Sequence, residues 1–200
     1  MNVAIVDYGA GNLTSLKAAF SAVGAQVEIT RDPRSLHSAQ RIVVPGVGHF
    51  SATTQLRDSG LTDAIGERVE SGVPLLGICL GMQWLFEGSD EAPGAAGLAA
   101  FPGRCHRFPL GVKTPHVGWN RLHRCSDSSE LLRGIDEGSF AYFTHSYSLA
   151  AEPHTVATSE YSGKFSAVVE HSNLFGVQFH PEKSAGVGLR ILQNFCALPC

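Results

Sequence analysis

Charge is scarce in this chain. Only 16% of its 200 residues are Asp, Glu, Lys or Arg, against about 25% in an average globular domain. With 44% apolar residues, that composition excludes an intrinsically disordered chain, which stays unfolded through high charge and few apolar groups. Neither sign dominates, since 15 Lys+Arg against 18 Asp+Glu leave a net charge of −3. A general nucleic-acid binder, which needs clustered cations against phosphates, is therefore not expected. A long apolar run is also missing. The longest, from Val73 to Phe86, is interrupted by Gly and Gln and falls short of the roughly 20 residues that cross a bilayer. No membrane association is expected. The first positive charge is Lys17, and nothing before it reads as a cleavable hydrophobic signal. Five cysteines, at 79, 105, 125, 196 and 200, form no C-x-x-C pair. Their odd number argues against a disulfide framework and suits a reduced cytoplasm. No His/Cys group has the spacing of zinc ligands, so no metal is expected.

What is present reads as alternating strands and helices. Asn2 to Asp7 is a continuous apolar run closed by an acid, then Gly9 and Gly11. Continuous rather than alternating runs suit strands covered on both faces, as in a parallel sheet. Asn12 stands at an N-cap position before Leu13, Leu16, Ala19, Phe20 and Val23, which recur at helical spacing up to Gly24. Val27–Thr30, Arg41–Val44 and Val73–Ile78 read as further strands, with helix over 51–71 broken near Gly60 and again over 80–87. The second half changes character. Segments 140–147, 155–159, 166–171 and 174–179 read as short strands in close succession, hence antiparallel or mixed, before a last helix over 186–196. The Ala/Gly/Pro-rich stretch from Ala92 to Ala100 reads as a loop. The expected fold is α/β: one domain, a mostly parallel sheet flanked by helices, with an antiparallel extension.

Chemistry concentrates at two places. Gly77-Ile-Cys-Leu-Gly81 sits where a buried strand turns into a helix. This is G-x-C-x-G, the thiol counterpart of the G-x-S-x-G nucleophile elbow, in which a sharp turn crowds the positions two residues either side. A helix N-terminus favours the thiolate form of Cys79, and the next amide, at Leu80, points where an oxyanion would form. A lone cysteine in a core strand is also an ordinary small apolar residue. A nucleophilic thiol needs a base, and the base an orienter. Among nine histidines, His180-Pro-Glu182 stands out because it directly follows the strand Gly176–Phe179, and open α/β sheets gather their site residues at strand ends. Pro181 fixes one backbone torsion, so the carboxylate can be held against the imidazole.

Gly77-Ile-Cys-Leu-Gly-Met-Gln83 together with His180-Pro-Glu182 resembles the class I (triad) glutamine amidotransferases. Asp7–Leu13, Pro45–His49, Lys113–Asn120, Tyr142–Tyr147 and Gly176–Lys183 narrow the resemblance. They are similar to the glutaminase subunits of imidazole glycerol phosphate synthase, from residue 2 to about 196, with the stretch 87–108 least characteristic. Two conservative departures, Thr114 and Ser146, leave the pattern intact. The resemblance implies a flavodoxin-like domain over 1–200, with Cys79 as nucleophile, His180 as base and acid, and Glu182 as orienter. It implies an oxyanion hole from Leu80 and the Gly46–Val47 peptide, facing the wrong way until a partner signals. Two glycines, Gly46 and Gly48, lower the cost of such a flip.

Glutamine is implied to bind at Gly46, Gly48, Gln83, His145, Ser146 and Tyr147, with Gln83 one helical turn beyond Cys79 on the same face. Asn12, Trp119, Asn120, Tyr142 and Lys183 are implied to face a (β/α)8-barrel cyclase in a heterodimer. That cyclase would use the ammonia on a phosphoribulosyl formimino-aminoimidazole carboxamide nucleotide. No cofactor is implied, since thioester hydrolysis needs a nucleophile, a base and oxyanion donors. By default Trp119 and Tyr142 would be core aromatics and Gln83 a solvated helix residue. An amidotransferase subunit of another pathway and a non-catalytic module on the same scaffold are the competing readings.

Overall fold

The computed structural model describes residues 1–199; Cys200, one of the five cysteines, lies outside them. The first half alternates: β1 (Asn2–Val6), α1 (Leu13–Ala22), β2 (Gln26–Thr30), β3 (Arg41–Val44), α2 (Thr54–Asp58), α3 (Leu61–Glu70), β4 (Leu75–Ile78) and α4 (Leu80–Trp84). The second half adds β5 (Gly88–Ser89), β6 (Arg104–Arg107), β7 (His116–Arg121), β8 (His123–Arg124), β9 (Phe140–His145), β10 (Tyr147–Ser148), β11 (Thr155–Glu160), β12 (Lys164–His171), β13 (Leu174–Val177) and α5 (Ala185–Ala197). The main sheet has the order β2-β1-β3-β4-β13-β12-β11-β8. Strands β2 through β13 in that order pair parallel, and β12, β11 and β8 continue it antiparallel. This is the expected parallel core with an antiparallel extension.

The apolar runs are continuous because the central strands are covered on both faces. Along β1, Val3 and Ile5 enter one core layer while Ala4 and Val6 enter the other. The first layer takes Leu16 and Phe20 of α1 with Ile191, Leu192 and Phe195 of α5. Phe195 meets Phe20 edge-on at 6.4 Å and Phe175 at 6.1 Å. Leu56 of α2, Leu61 and Ile65 of α3, and Met82 and Trp84 of α4 fill the second layer. Each such side chain contributes about 1.5–3 kcal/mol when fully buried.

Several expectations need correction. The helix after Cys79 stops at Trp84 rather than residue 87. Gly97 and Leu98 return against it, their N–H groups donating to Glu87 O and Trp84 O. The stretch 51–71 breaks at Gly60, at φ 75°, as expected, but it opens with a 3₁₀ turn (Phe50–Thr53) before its two helices. Strand 140–147 is interrupted at Ser146, so β9 pairs with β7 while β10 pairs with β6. Strands β6, β7 and β8 were not expected, because their polar, histidine-rich segments carry no apolar run.

Helix α5 holds the end of β13 in place. A Cβ on Gly188 would lie 1.9 Å from Pro181 O, so the glycine permits α5 to pack on the backbone between His180 and Glu182. Gly188→Ala should therefore destabilise the fold by about 1–3 kcal/mol through overpacking, read as a lower urea midpoint. The shifted backbone carries both residues, so the His180–Glu182 pair should be displaced with it.

Candidate active site

Cys79 turns β4 into α4 with φ 54° and ψ −107°, a region that costs a non-glycine residue on the order of 1–3 kcal/mol. Its neighbours explain how that turn is kept. A Cβ on Gly81 would sit 1.8 Å from Val44 O, and one on Gly77 would sit 2.6 Å from Gly81 O. The two glycines of G-x-C-x-G are thus steric requirements of the turn. Cys79 N–H donates to Val177 O at 2.8 Å, tying the turn to β13.

Register does the rest. Gly77 lies opposite Gly176 and Ile78 opposite Val177, so Gln178, Phe179 and His180 leave the sheet beside Cys79. His180 Nδ1 lies 3.0 Å from Glu182 Oε1, with both side chains 5% exposed or less. A carboxylate only accepts, so Nδ1 carries the proton and Nε2 is the nitrogen free for exchange. Nε2 and Glu182 Oε2 are buried with no hydrogen-bond partner. Burial pulls the His180 pKa down, but an ionised Cys79 sulfur and the Glu182 carboxylate outweigh it and push it up to about 10, so the imidazole keeps a proton it takes from the thiol. The thiol donates to Thr144 O at 3.7 Å, and Gln178 Nε2–H donates to the sulfur at 3.6 Å. Proton transfer to His180 thus requires the S–H to leave Thr144 O.

A cavity of about 190 Å³ opens over Cys79, lined by Val47, Gly48, Leu80, Gln83, Glu91, Pro115, Thr144, His145, Ser146 and Tyr147. Of the expected glutamine contacts, only Gly46 is outside this lining. Glu91 was missed: it falls in the least characteristic stretch and is held by Phe50 N–H, which donates to Oε2 at 2.7 Å. It is the one carboxylate among the residues that line this pocket.

The His145 ring points away from solvent into a buried chain. Its Nδ1 donates to Tyr147 O at 2.8 Å and its Nε2 accepts from His116 Nδ1 at 3.1 Å. Burial lowers the His116 pKa to about 4 and, against the Tyr147 bond, that of His145 to about 3. Both rings are neutral at pH 7.

The oxyanion donors are not arranged as a hole here. Leu80 N–H donates to Gly46 O at 3.4 Å, so the Gly46–Val47 peptide presents a carbonyl where a second N–H was expected. Tyr8 braces this loop, its hydroxyl donating to Pro45 O at 2.8 Å. A Cβ on Gly46 would fall 2.3 Å from that hydroxyl oxygen, and Gly48 has φ +100°.

Three of the expected docking residues form one cluster. Trp119 is 52% exposed and packs edge-on against Tyr142 at 6.0 Å, with Lys183 Nζ 5.7 Å over the Tyr142 ring. Tyr142 O accepts the His180 N–H at 2.9 Å, so the cluster adjoins the imidazole's backbone. Asn120 is on the opposite face of β7, its Nδ2 donating to Glu160 O at 2.8 Å. Asn12 caps α1 and lines a small cavity with Gly46, Val47, His180 and Glu182. Neither joins the Trp119 cluster. Among the described residues, no group of three or more His, Cys, Asp or Glu could hold a metal, and no helix is long and apolar enough to cross a membrane.

An open α/β sheet that gathers a strained thiol, an imidazole and a carboxylate at adjoining strand ends belongs with enzymes that act through a thioester. The relatives make the class specific. Residues 4–198 match the family model for class I glutamine amidotransferases. "Imidazole glycerol phosphate synthase subunit HisH" of Moorella thermoacetica is 47% identical over 196 residues, covering 96% of this chain and 93% of the relative. The HisH subunit of Methanothermobacter thermautotrophicus is 46% identical, covering 96% of both chains. A crystal structure of a glutamine amidotransferase superposes with a TM-score of 0.76 at 19% identity, covering 98% of this chain and 99% of that one. The acivicin-bound glutaminase domain of Trypanosoma brucei CTPS gives 0.69 at 16%, covering 100% and 95%; at such identities these two establish the fold. The chain belongs to the class I glutamine amidotransferase family, in the branch of the HisH subunits.

The imidazole offers a direct check. Its pKa is raised in the folded state, so its contribution to stability is full below the ordinary His value of about 6.5 and is lost as pH rises through about 10. Glu182→Gln and Cys79→Ala should each move the His180 titration downward in proton NMR. Hydrolysis by Glu182→Gln should fall by about 10²–10⁴.

Proposed function

We propose that this chain is the glutaminase subunit of imidazole glycerol phosphate synthase, acting as one domain over residues 1–200 in the cytoplasm. The observation that carries the reading is the meeting of Cys79, His180 and Glu182 where β4 and β13 end side by side. Cys79 gives its proton to His180 Nε2, and the thiolate attacks the side-chain carboxamide carbon of glutamine. The imidazolium, held by Glu182, returns the proton to the departing nitrogen, which leaves as ammonia. Water then gives a proton to the same Nε2 and attacks the thioester; glutamate leaves and the sulfur is protonated again. These steps need only the chain's own nucleophile, base and donors. Glu91 supports binding of a free amino acid, since its carboxylate lines the pocket where an α-ammonium would need a partner.

The oxyanion forms beside Leu80 N–H, which Gly46 O now occupies. Turning the Gly46–Val47 peptide over would release Leu80 N–H and bring Val47 N–H in as a second donor. Loss of one such donor costs about 10²–10³ in rate. A (β/α)8-barrel cyclase seated on the exposed Trp119–Tyr142–Lys183 cluster, adjoining His180, is the partner that would bias this turn. Its acceptor nucleotide would then control when glutamine is used.

Glutamate formation by the chain alone, with the cyclase, and with cyclase and acceptor nucleotide tests both parts. We expect weak activity alone and a gain of about 10²–10³ in the full complex, with none at any stage for Cys79→Ala. Equal rates in all three states would contradict the peptide gate. Hydrolysis by Cys79→Ala would contradict the whole reading.

A further inference from the structure

Gln178 is wholly buried and is not accounted for by the thiol–imidazole–carboxylate set. Its Nε2 lies 3.6 Å from Cys79 Sγ, and its Oε1 accepts from Gln83 Nε2 at 3.1 Å. Which end of this amide faces the sulfur follows from its neighbours. Tyr147 O is a backbone carbonyl and can only accept; Gln83 Nε2 donates to it at 3.0 Å. Gln83 must therefore turn its nitrogen inward, and its second N–H meets Gln178. Gln178 must answer with its oxygen, which leaves its N–H for the sulfur. His145 Nδ1 donates to the same Tyr147 carbonyl at 2.8 Å and holds it in place.

We propose that Gln178 is a further catalytic residue of the glutaminase, whose Nε2–H hydrogen-bonds and stabilises the Cys79 thiolate. The proposal rests on Cys79 being the nucleophile. Thr144 O accepts from the neutral thiol at 3.7 Å but can only repel the ionised sulfur. Gln178 Nε2–H instead strengthens as charge develops, because bonds to ionised groups are roughly twice as strong as neutral ones. The amide costs nothing in reorganisation, since Gln83 and Tyr147 already aim it. His180 with its partner Glu182, and Tyr8, Cys105, His145, Tyr147 and Glu91, are the other titratable groups around the sulfur. Only His180 exchanges a proton with it.

The test is the pH dependence of Cys79 alkylation by iodoacetamide, followed on its own peptide by mass spectrometry in the full-length chain. Gln178→Met keeps the length and removes the donor; Gln178→Asn keeps an amide but withdraws it by one methylene. Folding of each is checked by its melting curve, so that one folded variant suffices. Losing a hydrogen bond to a charged group should raise the alkylation midpoint by about one pH unit. Glutamine hydrolysis near neutral pH should fall about tenfold and recover as pH rises, which a merely structural defect would not do. An unchanged midpoint in a folded variant would overturn the proposal while leaving Cys79 as nucleophile. Glutamine hydrolysis persisting in Cys79→Ala would instead remove the reading beneath it.

Discussion

The turn at Cys79 is the constraint on which the site depends. A non-glycine residue is held at positive φ because Gly77 and Gly81 let the backbones of β4, α4 and Val44 approach closer than any Cβ would permit. The strain is offset by a fully buried surround and by the Cys79 N–H bond to Val177 O. In return the sulfur projects from the end of the sheet at the point where β13 delivers Gln178 and His180. Parallel pairing of β4 with β13 therefore sets the proposed site as much as the core: a one-residue slip of that register would exchange every side chain between the two faces.

The same compactness explains why the site is at rest. The thiol proton is directed to Thr144 O, the Leu80 amide is directed to Gly46 O, and His180 Nε2 has no hydrogen-bond partner. Each group has a nearby alternative that chemistry requires. Only the Gly46–Val47 peptide needs a backbone change, and Gly48 at positive φ gives the loop room for it. Asn12 lines a small cavity with Gly46, Val47, His180 and Glu182, and Tyr142, under Lys183, accepts the His180 N–H.

Much of this was legible in the sequence, for physical reasons. Strands β1, β3 and β4 are short continuous apolar runs because both faces are covered, and G-x-C-x-G and His-Pro-Glu sit at strand ends because that is where such a sheet exposes polar groups. Strand β7 was not legible: His116, Trp119 and Asn120 belong to no apolar run, and only β9, more than twenty positions away, makes them a strand. Glu91 sits just before the Ala/Gly/Pro-rich stretch, and its aim depends on Phe50 N–H across the fold. Gln178 lies inside a recognised motif, yet an uncharged amide beside a histidine signals nothing until its two neighbours fix its orientation. Peptide orientation at Gly46 has no sequence signature; the glycines permit a flip without revealing which state is occupied.

The central claim is that a single thiol, Cys79, carries the acyl group. A diazoketone analogue of glutamine, which alkylates the nucleophile of the pocket it enters, tests this most directly. The account predicts one label per chain, on the Cys79 peptide, with glutamine hydrolysis lost in step and glutamine protecting against both. Label on Cys105 or Cys125, or full hydrolysis surviving complete modification of Cys79, would contradict it.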